Sequence, residues 1–233
     1  MMRILLLIFC LCLSASSSAG LVAAATRIIF QEGETQKSLM LVNANAWPVV
    51  VQSWVDHGDV NAAPGSVKTP FVAIPAVFRL SVQGGQGLRL VYNNMPLPAD
   101  RESVFWLNLY EIPPVTQQQQ QSMVLTMNTQ MKIFWRPRGL NQPETALKQL
   151  TFRVEGDDIV CHNASPYFVS FAGLALEVSG NLIRARQQPD MMVAPYSDKR
   201  YPLEPGAHHR AERVQVDIID DNGNREIHRY PVQ

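Results

Sequence analysis

At 233 residues with 20 basic and 20 acidic side chains, the chain carries no net charge, so no global field draws it to nucleic acid. Three cysteines, of which Cys10 and Cys12 lie in the first apolar run, cannot build a disulfide framework in the body of the protein. The length suits one large domain or two of about 100 residues each.

The chain opens as an export leader: Arg3 precedes an apolar run from Ile4 to Leu13, then the small residues Ser14 to Ala19. The run is shorter than the roughly 20 residues that cross a bilayer, and no later segment is apolar enough, so no membrane insertion is expected and the mature protein should be soluble. Cleavage is expected after Ala19, with Ala23-Ala24-Ala25 as a competing site, giving a leader of residues 1–19 that could extend to 25. Loss of Arg3 leaves a mature net charge of −1, and loss of Cys10 and Cys12 leaves Cys161 alone. A free cysteine is usually core packing, and its neighbour His162 is weak support for a nucleophile.

Beyond the leader, period-two alternation recurs. Phe78, Leu80 and Val82 alternate with polar residues, Gly84-Gly85 reads as a turn, and Leu88, Leu90 and Tyr92 follow, which is a hairpin signature. Further short apolar runs cover Leu39 to Val42, Val49 to Val55, Val104 to Tyr110, Met123 to Trp135, Leu150 to Val154, Tyr167 to Leu176, Val214 to Ile219 and Glu226 to Val232. Pro, Gly, Asn and Asp clusters separate them, and no sustained helical period appears, so the chain reads as all-β. Roughly seven strands fit on each side of the polar stretch Pro137 to Thr145, which suggests two sandwiches, residues 20–140 and 141–233, joined by a semi-rigid linker. Gln117 to Gln121 reads as a polar loop tip.

Catalytic signatures are missing from the sequence: there is no HExxH, GxSxG, GxGxxG or P-loop, so neither an enzyme nor a cofactor is expected. His208-His209 is the nearest approach to a metal pair, but adjacent strand residues point to opposite faces and would chelate poorly, so no metal is expected. Asn163-Ala164-Ser165 matches a glycosylation acceptor, a motif common by chance, and receives no role.

From Leu97 to Pro114 the chain reads LPADRESVFWLNLYEIPP. Together with TRIIF at Thr26 to Phe30, FVAIPAVFRL at Phe71 to Leu80, MKIFWRP at Met131 to Pro137 and NASPYFVS at Asn163 to Ser170, it resembles the periplasmic pilus (fimbrial) assembly chaperones, the family of the P-pilus and type 1 pilus chaperones. The likeness spans nearly the whole mature chain. The short spacing after Pro114, without a cysteine pair, resembles the short-loop branch, whose clients are typically rod-like pili. Ile74-Pro75 falls where the family often carries a cis proline, but Ala76 replaces the second proline of that segment.

The resemblance implies two immunoglobulin-like β-sandwich domains in a boomerang arrangement. It also implies a function: binding, folding and capping pilus subunits by donor-strand complementation in the periplasm, then delivery to an outer-membrane usher. Met123, Leu125 and Met127, alternating with Val124, Thr126 and Asn128, match the donor strand; such a pattern by itself usually faces a protein's own core. Arg27 and Lys132 match the cations that bind the subunit's terminal carboxylate, a ligand suited to a planar fork beside a compact point charge. Glu102, Arg136 and Asp221 match an inter-domain ion network, with neighbouring Asp220 an alternative for the third position. An exported immunoglobulin-like fibre subunit or adhesin is the competing class; it would call for an N-terminal alternating extension and usually one incomplete domain. An uncovered apolar edge would also allow a self-capping dimer.

Overall fold

The computed structural model describes residues 20–114, 125–140, 142–204 and 211–233. The leader, the glutamine run, Met123 and His208-His209 lie outside the described residues. The first domain contains β1 (Leu21–Ala23), β2 (Arg27–Gln31), β3 (Gln36–Asn43), β4 (Val49–Asp56), β5 (Phe71–Ile74), β6 (Val77–Leu80), β7 (Gly85–Tyr92), β8 (Ser103–Ile112) and β9 (Met127–Arg136). A short 3-10 helix, Pro143–Gln149, leads into β10 (Leu150–Glu155), β11 (Asp158–Asn163), β12 (Val169–Val178), β13 (Asn181–Arg184), β14 (Met192–Val193), β15 (Ser197–Pro202), β16 (Ala211–Ile219) and β17 (Arg225–Pro231) of the second.

Each domain is a sandwich. Sheets β1-β3-β7-β5 and β2-β9-β8-β4-β6 enclose one core, and β10-β11-β15 faces β13-β12-β16-β17, with β14 on β12, around the other. Alternate residues point inward as the pleat requires: Leu39 and Leu41 of β3, Leu88 and Leu90 of β7, and Leu107 and Leu109 of β8 fill the first core with Phe30 and Ile133. Phe152, Ile159, Leu176, Tyr201, Val214 and Val216 fill the second. Among the described strands the ladders are antiparallel except that of β2 and β9, which run parallel; a single parallel bridge also joins Phe152 to Val232.

The hairpin expected around Gly84-Gly85 is not one. β6 pairs with β4 in one sheet, whereas β7 pairs with β3 and β5 in the other, so the turn carries the chain across the sandwich. Buried Asn43 holds this crossing: its Nδ2 donates to the carbonyls of Trp47 (2.9 Å) and Ser81 (3.0 Å), and its backbone N–H donates to Gly84 (2.9 Å). The second domain repeats the device. Asn163 Nδ2 donates to the carbonyls of Tyr167 (2.7 Å) and Ala194 (2.9 Å), and its Oδ1 accepts from Ser165 N, as Asn43 Oδ1 accepts from Asn45 N. Asn163 is therefore a buried structural amide, not an accessible acceptor.

The stretch expected to be a linker is partly the 3-10 helix, started by Pro143 and seated on the second core through buried Ala146; Tyr230 Oη donates to Leu147 O at 3.0 Å. Cys161 is fully buried in the same core, and burial pushes its thiol up to about 12, which leaves no thiolate for chemistry. The Ile74–Pro75 bond is cis. Among the described residues no helix is long and apolar enough to cross a membrane.

Candidate functional site

β9 is the centre of the site. Its odd-numbered residues Met131, Ile133 and Trp135 point into the first core. Met127 and Leu125 continue that row, yet they are 52% and 75% exposed, although Glu111, the β8 partner of Met127, is buried. On one side β8 pairs with β9 from Met127 to Trp135. On the other, β2 pairs only with Lys132 to Arg136, so among the described strands residues 127–131 present a free backbone edge beside a free apolar row. Strands in that condition recruit another strand. The opposite face of β9 is fixed by a polar cluster that the sequence reading missed. Asn128 and Gln130 donate to Asn108 Oδ1 at 3.0 and 2.8 Å, and Asn108 Nδ2 donates to buried Asp56 at 2.7 Å.

The parallel register of β2 and β9 sets Arg27 opposite Lys132, where the free edge stops. Arg27 Nη1 donates to Ile219 O of the second domain at 3.2 Å, while its buried Nε has no hydrogen-bond partner. Lys132 Nζ lies 3.7 Å from Asp190 Oδ1. Asp190 is itself held by Lys199, whose Nζ donates to its carbonyl at 2.8 Å and to Met192 O at 2.9 Å. Burial lowers the pKa of both Arg27 and Lys132; Asp221 and Asp220 oppose this at Arg27, and Asp190 at Lys132, where Arg27 and Lys199 add to the lowering. Arg27 thus keeps a spare N–H, and Lys132 has a 3.7 Å contact with a carboxylate that is 47% exposed. Asp190 and Lys199 had no pattern to reveal them, since the fold delivers them from a loop and strand of the other domain.

Glu102, Arg136 and Asp221 meet between the domains. Arg136 Nε donates to Glu102 Oε1 at 2.8 Å, and its Nη1 and Nη2 donate to Asp221 Oδ2 and Oδ1 at 2.8 and 3.2 Å. Glu102 Oε2 accepts from Phe168 N at 3.0 Å, and Glu102 N donates to Pro166 O at 2.9 Å, so one residue bonds across the interface twice. The Arg136 guanidinium also lies 5.1 Å over the Tyr167 ring. Burial pushes Glu102 up to about 7 against the pull of Arg136, whose own pKa is raised by Asp221 and Glu102 against its burial. Asp220 does other work: it accepts from Asn224 N at 2.7 Å and Nδ2 at 3.1 Å, closing the β16–β17 turn. A cavity of about 210 Å³ beside the network is lined by Arg27, Glu102, Arg136, Phe168 and Asp221.

These features define a class: a two-domain, nearly all-β protein that presents an open strand edge ending at a cation pair. The chain belongs to the PapD family of pilus-assembly chaperones. Residues 20–141 match the family model for the pili and flagellar-assembly chaperone, PapD N-terminal domain, and residues 145–230 match that for the pili assembly chaperone PapD, C-terminal domain. YadV, a probable fimbrial chaperone of Escherichia coli K12, is 39% identical over 201 residues, covering 82% of this chain and 80% of the relative. The crystal structure of the Pseudomonas aeruginosa CupB2 chaperone matches with a TM-score of 0.78 at 32% identity, covering 91% of this chain and 100% of that one. A structure of the Salmonella enterica SafA pilin in complex with the SafB chaperone matches with a TM-score of 0.76 at 26% identity, over 94% of this chain and 99% of the other.

Proposed function

We propose that the chain, exported to the periplasm by a leader of residues 1–19 and folded as domains 20–140 and 141–233, binds a pilus subunit by lending it a strand and passes it to an outer-membrane usher. The observation that carries this reading is the coincidence of a free backbone edge, an exposed apolar row and a desolvated cation pair along one strand. The solved pairing of a similar chaperone with a pilin supports it. No bond is made or broken in this work.

Direction follows from the geometry. β2 begins at Arg27 and runs parallel to β9, so a guest strand on the free edge that ends at Arg27 and Lys132 lies in line with β2 and also runs parallel to β9. Its terminal carboxylate would take the spare Arg27 Nε–H and displace Asp190 from Lys132. Fixing the terminus fixes the register, and a one-residue slip would turn Leu125 and Met127 away from the guest. Each apolar side chain buried in the guest, Met123 among them, contributes about 1.5 to 3 kcal/mol. Each charge-assisted hydrogen bond contributes about as much before desolvation. Glu102, Arg136 and Asp221 would hold the domain angle that keeps the second-domain groups beside the pair.

The test is co-purification from a periplasm that contains the pilin-like proteins of the source organism, comparing wild type with Lys132→Ala by mass spectrometry. A small, incomplete immunoglobulin-like protein should accompany wild type and be depleted with the variant. No such partner with either protein would refute the reading, and self-polymerisation of the purified chain would favour a fibre subunit instead.

A further inference from the structure

We infer that the buried carboxylate of Glu111 is the counter-ion of a free α-ammonium on Gly20, so that removal of the leader after Ala19 completes an ion pair inside the fold. The inference rests on the proposed export of the chain. Glu111, near the end of β8, is 5% exposed. Its Oε1 accepts from Leu21 N at 3.2 Å and its Oε2 from Asn45 Nδ2 at 3.3 Å. Both donors are neutral, and among the described residues no Lys, Arg or His forms an ion pair with it. A carboxylate has about four acceptor positions, so room remains for an ammonium with three donors. A buried charge without a partner is costly.

Gly20 is the residue in reach. A Cβ placed on it would lie 3.1 Å from both Glu111 oxygens, so its backbone leans directly over the carboxylate and glycine leaves that space open. Its carbonyl accepts from Ala44 N at 3.1 Å and the next N–H donates to Glu111, which fixes the residue on its C-terminal side and leaves its nitrogen to turn about a single bond. Cleavage supplies the charge: water splits the Ala19–Gly20 peptide bond, its hydroxyl completes a carboxyl group on Ala19, and the released Gly20 amine takes up a proton at neutral pH.

The same contacts choose between the two small-residue sites. Leu21, Val22 and Ala23 pair with Asn43, Val42 and Leu41, Ala24 N donates to Met40 O at 3.0 Å, and Leu21 and Ala23 pack on the core. A cut after Ala25 would discard β1 together with the Leu21 donor. A cut after Ala19 keeps both and adds the cation.

The full-length chain is exported and recovered from the periplasm, its first residue is read by N-terminal sequencing and intact mass, and the α-amine pKa is followed by pH-dependent acylation. Wild type is compared with Glu111→Gln and with a chain carrying two alanines inserted before Gly20, which keeps Glu111 but moves the ammonium away. The expected first residue is Gly20, with an amine titrating about one unit above the ordinary range of about 7.7 to 8.0 and acylated roughly tenfold more slowly at pH 7.5; both variants return it to that range. A first residue of Thr26, or one amine pKa shared by all three proteins, overturns the inference while leaving the chaperone reading intact. An uncleaved chain overturns the export reading as well.

Discussion

Replacing Arg136 by methionine should expose how the inter-domain network is powered. The change removes every cation from Glu102, whose side chain is 1% exposed, and leaves it only the Phe168 N–H. Breaking a buried ion pair from one side costs about 3 to 5 kcal/mol, but a carboxylic acid can escape part of this by taking a proton. Burial already raises Glu102 to about 7 with Arg136 present, so its pKa rises further without it. An acid whose folded pKa exceeds the unfolded value near 4.5 binds more protons when folded, and stability then falls as pH rises from that value through the folded one. The slope is about 1.4 kcal/mol per pH unit, so Arg136→Met should lose roughly 3 kcal/mol between pH 5 and pH 7. Thermal unfolding of the mature chain at both pH values measures this, and amide exchange at Phe168 reports whether the interface opens first. The double variant Glu102→Gln/Arg136→Met should recover most of the loss, since it leaves no buried charge unpaired and the carboxylate it does strip, Asp221, is 43% exposed. Asp221→Asn, on a limb 43% exposed, should cost at most about 1 kcal/mol. An Arg136→Met protein as stable as wild type at pH 7, with no difference between the two pH values, would refute this reasoning.

Leu125→Asp with Met127→Asp should leave stability within about 0.5 kcal/mol, because both side chains lie outside the core, yet reduce subunit capture at least tenfold; unfolding of the pair variant would show that the row is core after all. Asp190→Asn removes the internal anion beside Lys132 and should tighten binding of a subunit-tail peptide several-fold by calorimetry, whereas weaker binding would assign Asp190 to orienting the lysine. The same peptide with an amidated terminus should bind at least tenfold more weakly than the free acid. Capture of the free acid should fall as pH rises, starting below the ordinary lysine value of 10.5: burial lowers Lys132, a bound carboxylate raises it again, and binding therefore takes up a proton once the free lysine begins to lose its own. Lys132→Arg should flatten that profile.

Alternation made the strands of the first domain legible, because most of them bury one face and wet the other; β3 reads almost perfectly exposed, then buried. It could not report partners. The passage from β6 to β7 looks like a hairpin in sequence and is a crossing between sheets, decided by Asn43, a residue that no local pattern marks. β11 escaped notice for another reason: Ile159, Val160 and Cys161 are buried in succession, so its pattern has no period. β15 is written largely in polar and charged residues, and its outer face is held by ion pairs such as Arg153 Nη2 to Asp198 at 3.0 Å rather than by apolar cover.

The site divides along the same line. Periodicity states which way Leu125 and Met127 point but not what they meet, since such a row is core where neighbouring strands cover it and an open surface where the strand edge beside it is unpaired. Arg27 and Lys132 are ordinary charges until a parallel register places them side by side, and the groups that meet them, Ile219 O and the Asp190 carboxylate, are brought by the other domain. The cover that neighbouring strands give or withhold is thus what converts common residue types into a candidate site. That quantity belongs to the assembled sandwich, and is why the strand could be read directly from the sequence while the assignment of its use had to come through family likeness.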